Sequence, residues 1–235
     1  LHTGAVDPVD VAMDDAGEFV VAWGGHTELF AYAQELSLFA LFEGGVTSIF
    51  ARRYDAQGLP AGLPVIVDST LLSETAAATI SGSNCAPRVA MQPDGDYAVV
   101  WSRDPYPYAR VKQGSTIHAQ SYTAAGRPRA SVSFPADIAR TSSIAVTADL
   151  GSDYVVAWED STANIFGTRV AVAPGALGRT NLAVEPRFAV STPSTLGSSF
   201  QGTPSVSSDG AGNTVFVWPS SPSNPRVFDQ RYTRS

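Results

Sequence analysis

Lysine is almost absent from this chain: Lys112 stands alone among 15 basic residues, against 22 acidic ones, and the net charge is −7. An acidic chain with scattered arginines has no electrostatic footprint for nucleic acid, which argues against that class of partner. Cysteine is limited to Cys85, so no intrachain disulfide forms and pairing gives no reading of the redox compartment. No apolar run approaches the ~20 residues that cross a bilayer as a helix, so no transmembrane segment is expected. The three histidines, His2, His26 and His118, share no metal spacing. There is no G-x-S-x-G elbow, no H-E-x-x-H pair, no P-loop and no dinucleotide-binding glycine fingerprint. No catalytic residue, metal or cofactor is therefore expected. Charged residues are also sparse, at 16% against 44% hydrophobic, which is the balance of a globular chain and not of a disordered one.

What is present is a repeat. All four tryptophans close the same phrase, beginning with Val11-Ala-Met-Asp-Asp-Ala-Gly-Glu-Phe-Val-Val-Ala-Trp23. The other copies run from Val89 to Trp101, Ile144 to Trp158 and Val206 to Trp218. Each reads as a short strand A, a turn of Asp and Gly, and a strand B of aromatic and β-branched residues. A strand C follows, at Ile49–Tyr54, Ile117–Tyr122, Ile165–Val170 and Val227–Tyr232. In three copies a strand D comes next, expected at Pro64–Val67, Ser131–Phe134 and Arg187–Val190. Strand B is apolar on both faces, as a strand stacked between two other sheets must be. Four antiparallel strands, repeated in series, predict an all-β, β-propeller-like array of four four-stranded repeats. The repeats span about 9–70, 86–140, 142–192 and 203–235 of a single domain covering 1–235. The fourth copy lacks strand D, and residues 2–9 are placed to supply it.

The phrases V-A-M-D-x-x-G-x-F-V-V-A-W and I-F-A-R-R-Y-D-A-x-G, as they stand at 11–23 and 49–58, resemble the propeller-like repeats of large secreted and surface proteins of bacteria, which often accompany adhesin modules. The resemblance implies export and a binding or scaffolding role, with no catalytic residues. Leu1 opens the chain where a methionine would ordinarily stand. That fits a mature exported protein or a trimmed chain, and the expected location is extracytoplasmic: periplasm, cell surface or secreted.

Function is expected on the loops at one end of the blades. From each Trp to strand C the offsets are 26, 16, 7 and 9 residues, whereas the A–B turns are short and alike. Variable loops on a uniform scaffold are where function is usually grafted. The longest connection predicts a helical insertion over 27–43, with Thr27 as its cap and Gly44-Gly45 as its stop. Its apolar residues Leu29, Phe30, Tyr32, Leu36, Leu38, Phe39, Leu41 and Phe42 are the candidate contacts to a protein partner. Packing of the same segment over a blade is the plainer reading. A second set, Arg103, Asp104, Tyr106, Tyr108, Arg110, Glu159 and Asp160, forms the candidate ligand site. Tyr and Arg suit binding hot spots, and paired carboxylates could hydrolyse a glycoside. The expected function is a non-enzymatic interaction or scaffold module that binds a protein or joins a larger assembly. A lectin-like propeller and, behind it, a glycosidase-like enzyme are the alternatives. The Asp turns at Asp14, Asp94, Asp149 and Asp209 read as metal-free structure. Arg53, Arg169 and Arg231 are expected to contact those turns.

Overall fold

The computed structural model describes residues 9–28, 45–71, 84–103, 115–138, 143–175, 179–191, 202–220 and 226–234. Its strands form four antiparallel sheets that follow one another in chain order. Blade 1 holds β1 (Val9–Met13), β2 (Phe19–Glu28), β3 (Gly45–Tyr54) and β4 (Val65–Leu71). Blade 2 holds β5 (Asn84–Met91), β6 (Tyr97–Arg103), β7 (Thr116–Tyr122) and β8 (Pro128–Pro135). Blade 3 holds β9 (Ile144–Ala148), β10 (Tyr154–Glu159), β11 (Ile165–Pro174), β12 (Thr180–Val184) and the short β13 (Phe188–Ala189). Blade 4 holds β14 (Ser205–Ser208), β15 (Thr214–Ser220) and β16 (Arg226–Tyr232). The innermost strands adjoin in the order β1, β5, β9, β14, the arrangement of a propeller. No helix among the described residues is long and apolar enough to cross a membrane.

The turns explain why the hairpins close. Asp14 accepts the N–H groups of Ala16 and Glu18 on one carboxylate oxygen, each at 2.9 Å, and Gly17 takes φ +86°. Asp55, Asp160 and Asp209 do the same for the N–H groups two and four residues on. A short acceptor side chain thus takes the donors that the tight turn would leave unpaired. Since backbone already occupies these oxygens, a chelator should leave the Tm unchanged; a drop of several degrees with EDTA would show that a metal holds the turns.

Two expectations need correction. In blade 3, strand D is split: the expected stretch 187–190 holds its second piece, β13, and an unexpected first piece, β12, begins at Thr180. β12 pairs with Val170–Pro174, and β13 pairs separately with Phe166 and Gly167. Pro186 lies in the break, where it has no N–H to give the ladder. In blade 1, Thr27 and Glu28 are not the start of a helix. They continue β2, opposite Val46 and Gly45 of β3, because the hairpin partner extends the ladder beyond Trp23. The rest of the expected insertion lies outside the described residues, including Leu29, Phe30, Tyr32, Leu36, Leu38, Phe39, Leu41 and Phe42. So do residues 2–8, expected to complete blade 4.

Each blade has two unlike faces, and their pairing builds the core. The Trp face carries the Trp of strand B over an aromatic ring of strand C: Trp23 on Phe50, Trp101 on His118, Trp158 on Phe166 and Trp218 on Phe228. The small face carries short aliphatic groups at the positions of Val20, Ala22, Ile49 and Ala51. In blade 3 the last of these is Gly167, where a Cβ would lie 2.8 Å from the Phe188 ring and 3.3 Å from that of Phe216. The small face of blade 1 packs on the Trp face of blade 2, around Val89, Met91, Tyr97, Val99 and Trp101. Blade 2 packs on blade 3 in the same sense, around Tyr154, Val156 and Trp158, and blade 3 on blade 4, around Phe216 and Trp218. Polar bonds stitch the inner strands. The Val89 N–H donates to the Asp10 carboxylate at 2.9 Å, and Arg88 Nε to the Ile144 carbonyl at 3.0 Å. Trp101, Trp158 and Trp218 are buried, but Trp23 is only half-buried, because among the described residues no blade packs over the Trp face of blade 1.

The strand C arginines behave differently from one another. Arg169 reaches Asp149 with Nε at 2.8 Å and Nη2 at 2.7 Å. Arg53 meets a turn carboxylate too, but that of Glu18, at 3.0 Å. Arg231 does not follow: its side chain is 82% exposed, with Asp229 of its own strand at 3.9 Å. Arg234 reaches back instead, to Asp153 of blade 3 at 3.4 Å.

Candidate functional site

The polar cleft between blades 1 and 2 grows out of an irregularity in β4. Ile49 pairs with Asp68 and Phe50 with Ile66, so Val67 is an extra residue at a bulge. A bulge re-aims side chains. Here it turns both Val67 and Asp68 toward blade 2. Asp68 Oδ2 accepts the Trp101 indole N–H at 3.1 Å and the Arg103 guanidinium at 2.5 Å. Arg103 ends β6, opposite Thr116, and its side chain stays 33% exposed with that of Asp68 at 22%.

His118 forms the floor. It lies on Trp101 with ring centroids 5.5 Å apart, and its Nε2 is 2.9 Å from Thr116 Oγ1. Burial, and then the Arg103 charge, lower its pKa below the usual imidazole value, with Asp68 opposing. At neutral pH the ring is uncharged, able to donate from one nitrogen and accept on the other. Gln120 donates to the Ala130 and Ser121 carbonyls, each at 3.0 Å, which leaves its side-chain oxygen as an acceptor for the cleft. Ser131 and Ser133 of β8 line the far side, and the whole encloses about 340 Å³.

The cleft therefore offers a guanidinium, a carboxylate, a neutral imidazole, an amide and hydroxyls, on an indole floor. Arg103 and Asp68 neutralise each other, so the wall carries directional hydrogen-bonding groups without a net charge. Among the described lining residues Asp68 is the one carboxylate, whereas glycoside hydrolysis uses two facing groups. Two other spaces are less convergent. The inner channel, about 470 Å³, is bounded by strand A residues of all four blades and by turns of blades 2, 3 and 4, and a groove of about 770 Å³ runs between β8 and β12.

Of the three candidate ligand residues that are described, Arg103, Glu159 and Asp160, Arg103 alone lies in this cleft. Asp104, Tyr106, Tyr108 and Arg110 lie outside the described residues. Glu159 is 1% exposed at the end of β10, where its carboxylate accepts the Ser143 hydroxyl at 3.4 Å. Asp160 is also buried and caps a turn, accepting from the Thr162 N–H, the Thr162 hydroxyl and the Asn164 N–H. Asp68, Trp101 and His118 were not among the candidates. One signal pointed to them: strand C reads Ile-Phe or Val-Phe in three repeats but Ile117-His118 in the second.

No protein-family model matches the sequence, and no curated protein matches it. Solved structures do resemble the fold. A protein of unknown function from Dyadobacter fermentans superposes with TM-score 0.54 at 12% identity, over 97% of this chain and 65% of its own. The fungal lectin of Aleuria aurantia, a six-bladed β-propeller, gives 0.45 at 12% identity, over 98% of this chain and 79% of its own. The α-L-arabinofuranosidase Arb93A of Fusarium graminearum gives 0.47 at 11%, over 94% and 56%. The chain thus spans less than two thirds of the length of the first and third of these. At such identities the likeness speaks to fold alone; the four serial sheets and the order of their inner strands make the chain a β-propeller-like array.

Proposed function

We propose that this protein is a non-enzymatic, extracytoplasmic binding module that takes a neutral saccharide residue in the cleft between blades 1 and 2. The observation that carries the reading is the Asp68–Arg103 pair set beside a neutral His118 on the Trp101 ring. Sugar hydroxyls are both donors and acceptors, and a half-buried cluster of fixed donors and acceptors is their complement. A volume near 340 Å³ suits one or two sugar rings, at the lower end of small-molecule sites. Among the described lining residues Asp68 is the one carboxylate, which supports binding over hydrolysis. The protein-partner reading rested on residues 29–42, and the extracytoplasmic setting rests on the resemblance of the repeats.

Glycan-array screening followed by calorimetry tests it. Wild type should bind a neutral glycan, and Asp68→Asn or Arg103→Gln should weaken that binding about 10- to 100-fold, the loss of one charged hydrogen bond. His118→Phe, which installs the residue of the other repeats, should do the same while preserving the stack. Absence of any glycan binding, or binding indifferent to all three changes, would remove the proposal. Release of sugar by wild type but not by Asp68→Asn would put an enzyme in its place.

A further inference from the structure

Among the described residues, each end face of the array leaves uncovered one half of the contact that joins neighbouring blades. On blade 1, Val9, Val11 and Met13 are 62%, 58% and 60% exposed. Val89 and Met91, which hold the positions of Val11 and Met13 in blade 2, are 4% and 7% exposed beneath blade 1. Blade 4 presents the opposite half. Val215, Val217 and Val227 occupy the places of Val20, Ala22 and Ile49, and Val227 is 78% exposed where Ile49, Ile117 and Ile165 are fully buried. Among the described residues no core cluster joins blade 4 to blade 1.

Charge distinguishes these end faces from the internal ones. On the Trp face of blade 1, Arg52 stands opposite Val21, where blades 2, 3 and 4 have Gln120, Thr168 and Gln230. On the small face of blade 4, Asp229 stands where blades 1, 2 and 3 have Ala51, Ala119 and Gly167. One end carries an added cation and the other an added anion, each beside exposed aliphatic groups.

We propose that copies of this chain associate head to tail, the small face of blade 4 of one copy covering the Trp face of blade 1 of the next. The contact repeats the three interfaces inside the chain, and Arg52 and Asp229 give it opposite charges at two strand C positions that are uncharged in every internal interface. Such a contact is heterologous, so it closes a ring or grows a filament. Two copies of four blades make eight, within the range of about 4–8 blades that propellers adopt. This inference is independent of the saccharide cleft, which lies inside one chain.

Light scattering on the purified protein tests it. The expected mass is a multiple of 24.6 kDa, and Val11→Glu and Val217→Glu should each yield a folded monomer with unchanged circular dichroism, its Tm lowered only by the loss of association. Mixing those two variants should restore a complex, since each retains the half that the other has lost. Asp229→Arg should weaken association at least tenfold, and adding Arg52→Glu in the same chain should recover it. A wild-type monomer at all concentrations would overturn the proposal. Hydrogen exchange would then say whether blade 4 or residues 29–44 protect Val11 within one chain. A complex that survives both glutamate variants would overturn it equally.

Discussion

Trp158→Ala should destabilise the protein by about 3–5 kcal/mol, the cost of emptying a large aromatic site in a packed core. Trp158 is 1% exposed. Its indole N–H donates to the Ala136 carbonyl at 2.8 Å, and the Phe134 and Phe166 rings lie about it. The change leaves a cavity between blades 2 and 3 and an unpaired carbonyl beside it. Trp23→Ala should cost less than half as much, although the two residues hold the same place in the repeat. Its face is open, so part of the side chain already meets water and no cavity is enclosed. Urea unfolding in the monomeric Val11→Glu background measures both. For a chain of this size the Trp158 loss should lower the Tm by roughly 6–20 °C. Equal costs at the two sites would mean that blade 1 is covered as the others are.

Arg169→Met is expected to cost about 3 kcal/mol, because it strands a charge. The Asp149 side chain is 0% exposed, and both Nε and Nη2 of Arg169 converge on its Oδ2. Removing one partner of a buried pair leaves the other desolvated, at about 3–5 kcal/mol. The low end is expected here because Arg234 Nη1 lies 3.9 Å from the same oxygen. Replacing both residues, Arg169→Met with Asp149→Leu, should recover most of the loss, since an apolar pair of similar size needs no desolvation. Arg231→Ala at the matching position should change stability by about 0.5 kcal/mol or less, as surface substitutions do. A double-mutant cycle on Arg169 and Asp149 separates the pair from its surroundings. A coupling near zero would mean that water reaches Asp149.

The blades were legible because their signals are local. Alternation through Val11–Trp23, the Asp-x-x-Gly turns and the recurring Trp each depend on residues within one hairpin, so β1, β2, β5, β6, β9, β10, β14 and β15 fall where the repeats place them. Strand D of blade 3 was legible only in its second piece, because Phe188-Ala-Val190 is plainly apolar while Leu182 and Val184 alternate more quietly on the other side of Pro186. The candidate site was hardly legible. Arg103 was singled out with its loop, but its partner Asp68 sits 35 residues earlier in a different blade, and only the bulge in β4 turns the two together.

Sequence by itself determined the number of repeats, their meander order, the turn chemistry and the apolar character of strands B and C. These follow from periodicity and from short-range hydrogen bonding, which residues near in the chain control. Tertiary structure decided which face of each blade is covered, and therefore why Trp23 differs from Trp101, Trp158 and Trp218 despite an identical local phrase. It also decided that Arg53 meets Glu18, Arg169 meets Asp149 and Arg231 meets solvent, and that His118, Asp68 and Arg103 share one cleft. Burial and pairing across blades depend on neighbours that lie far off in sequence, and a repeat motif, being the same in every copy, carries no record of which copy stands at the end.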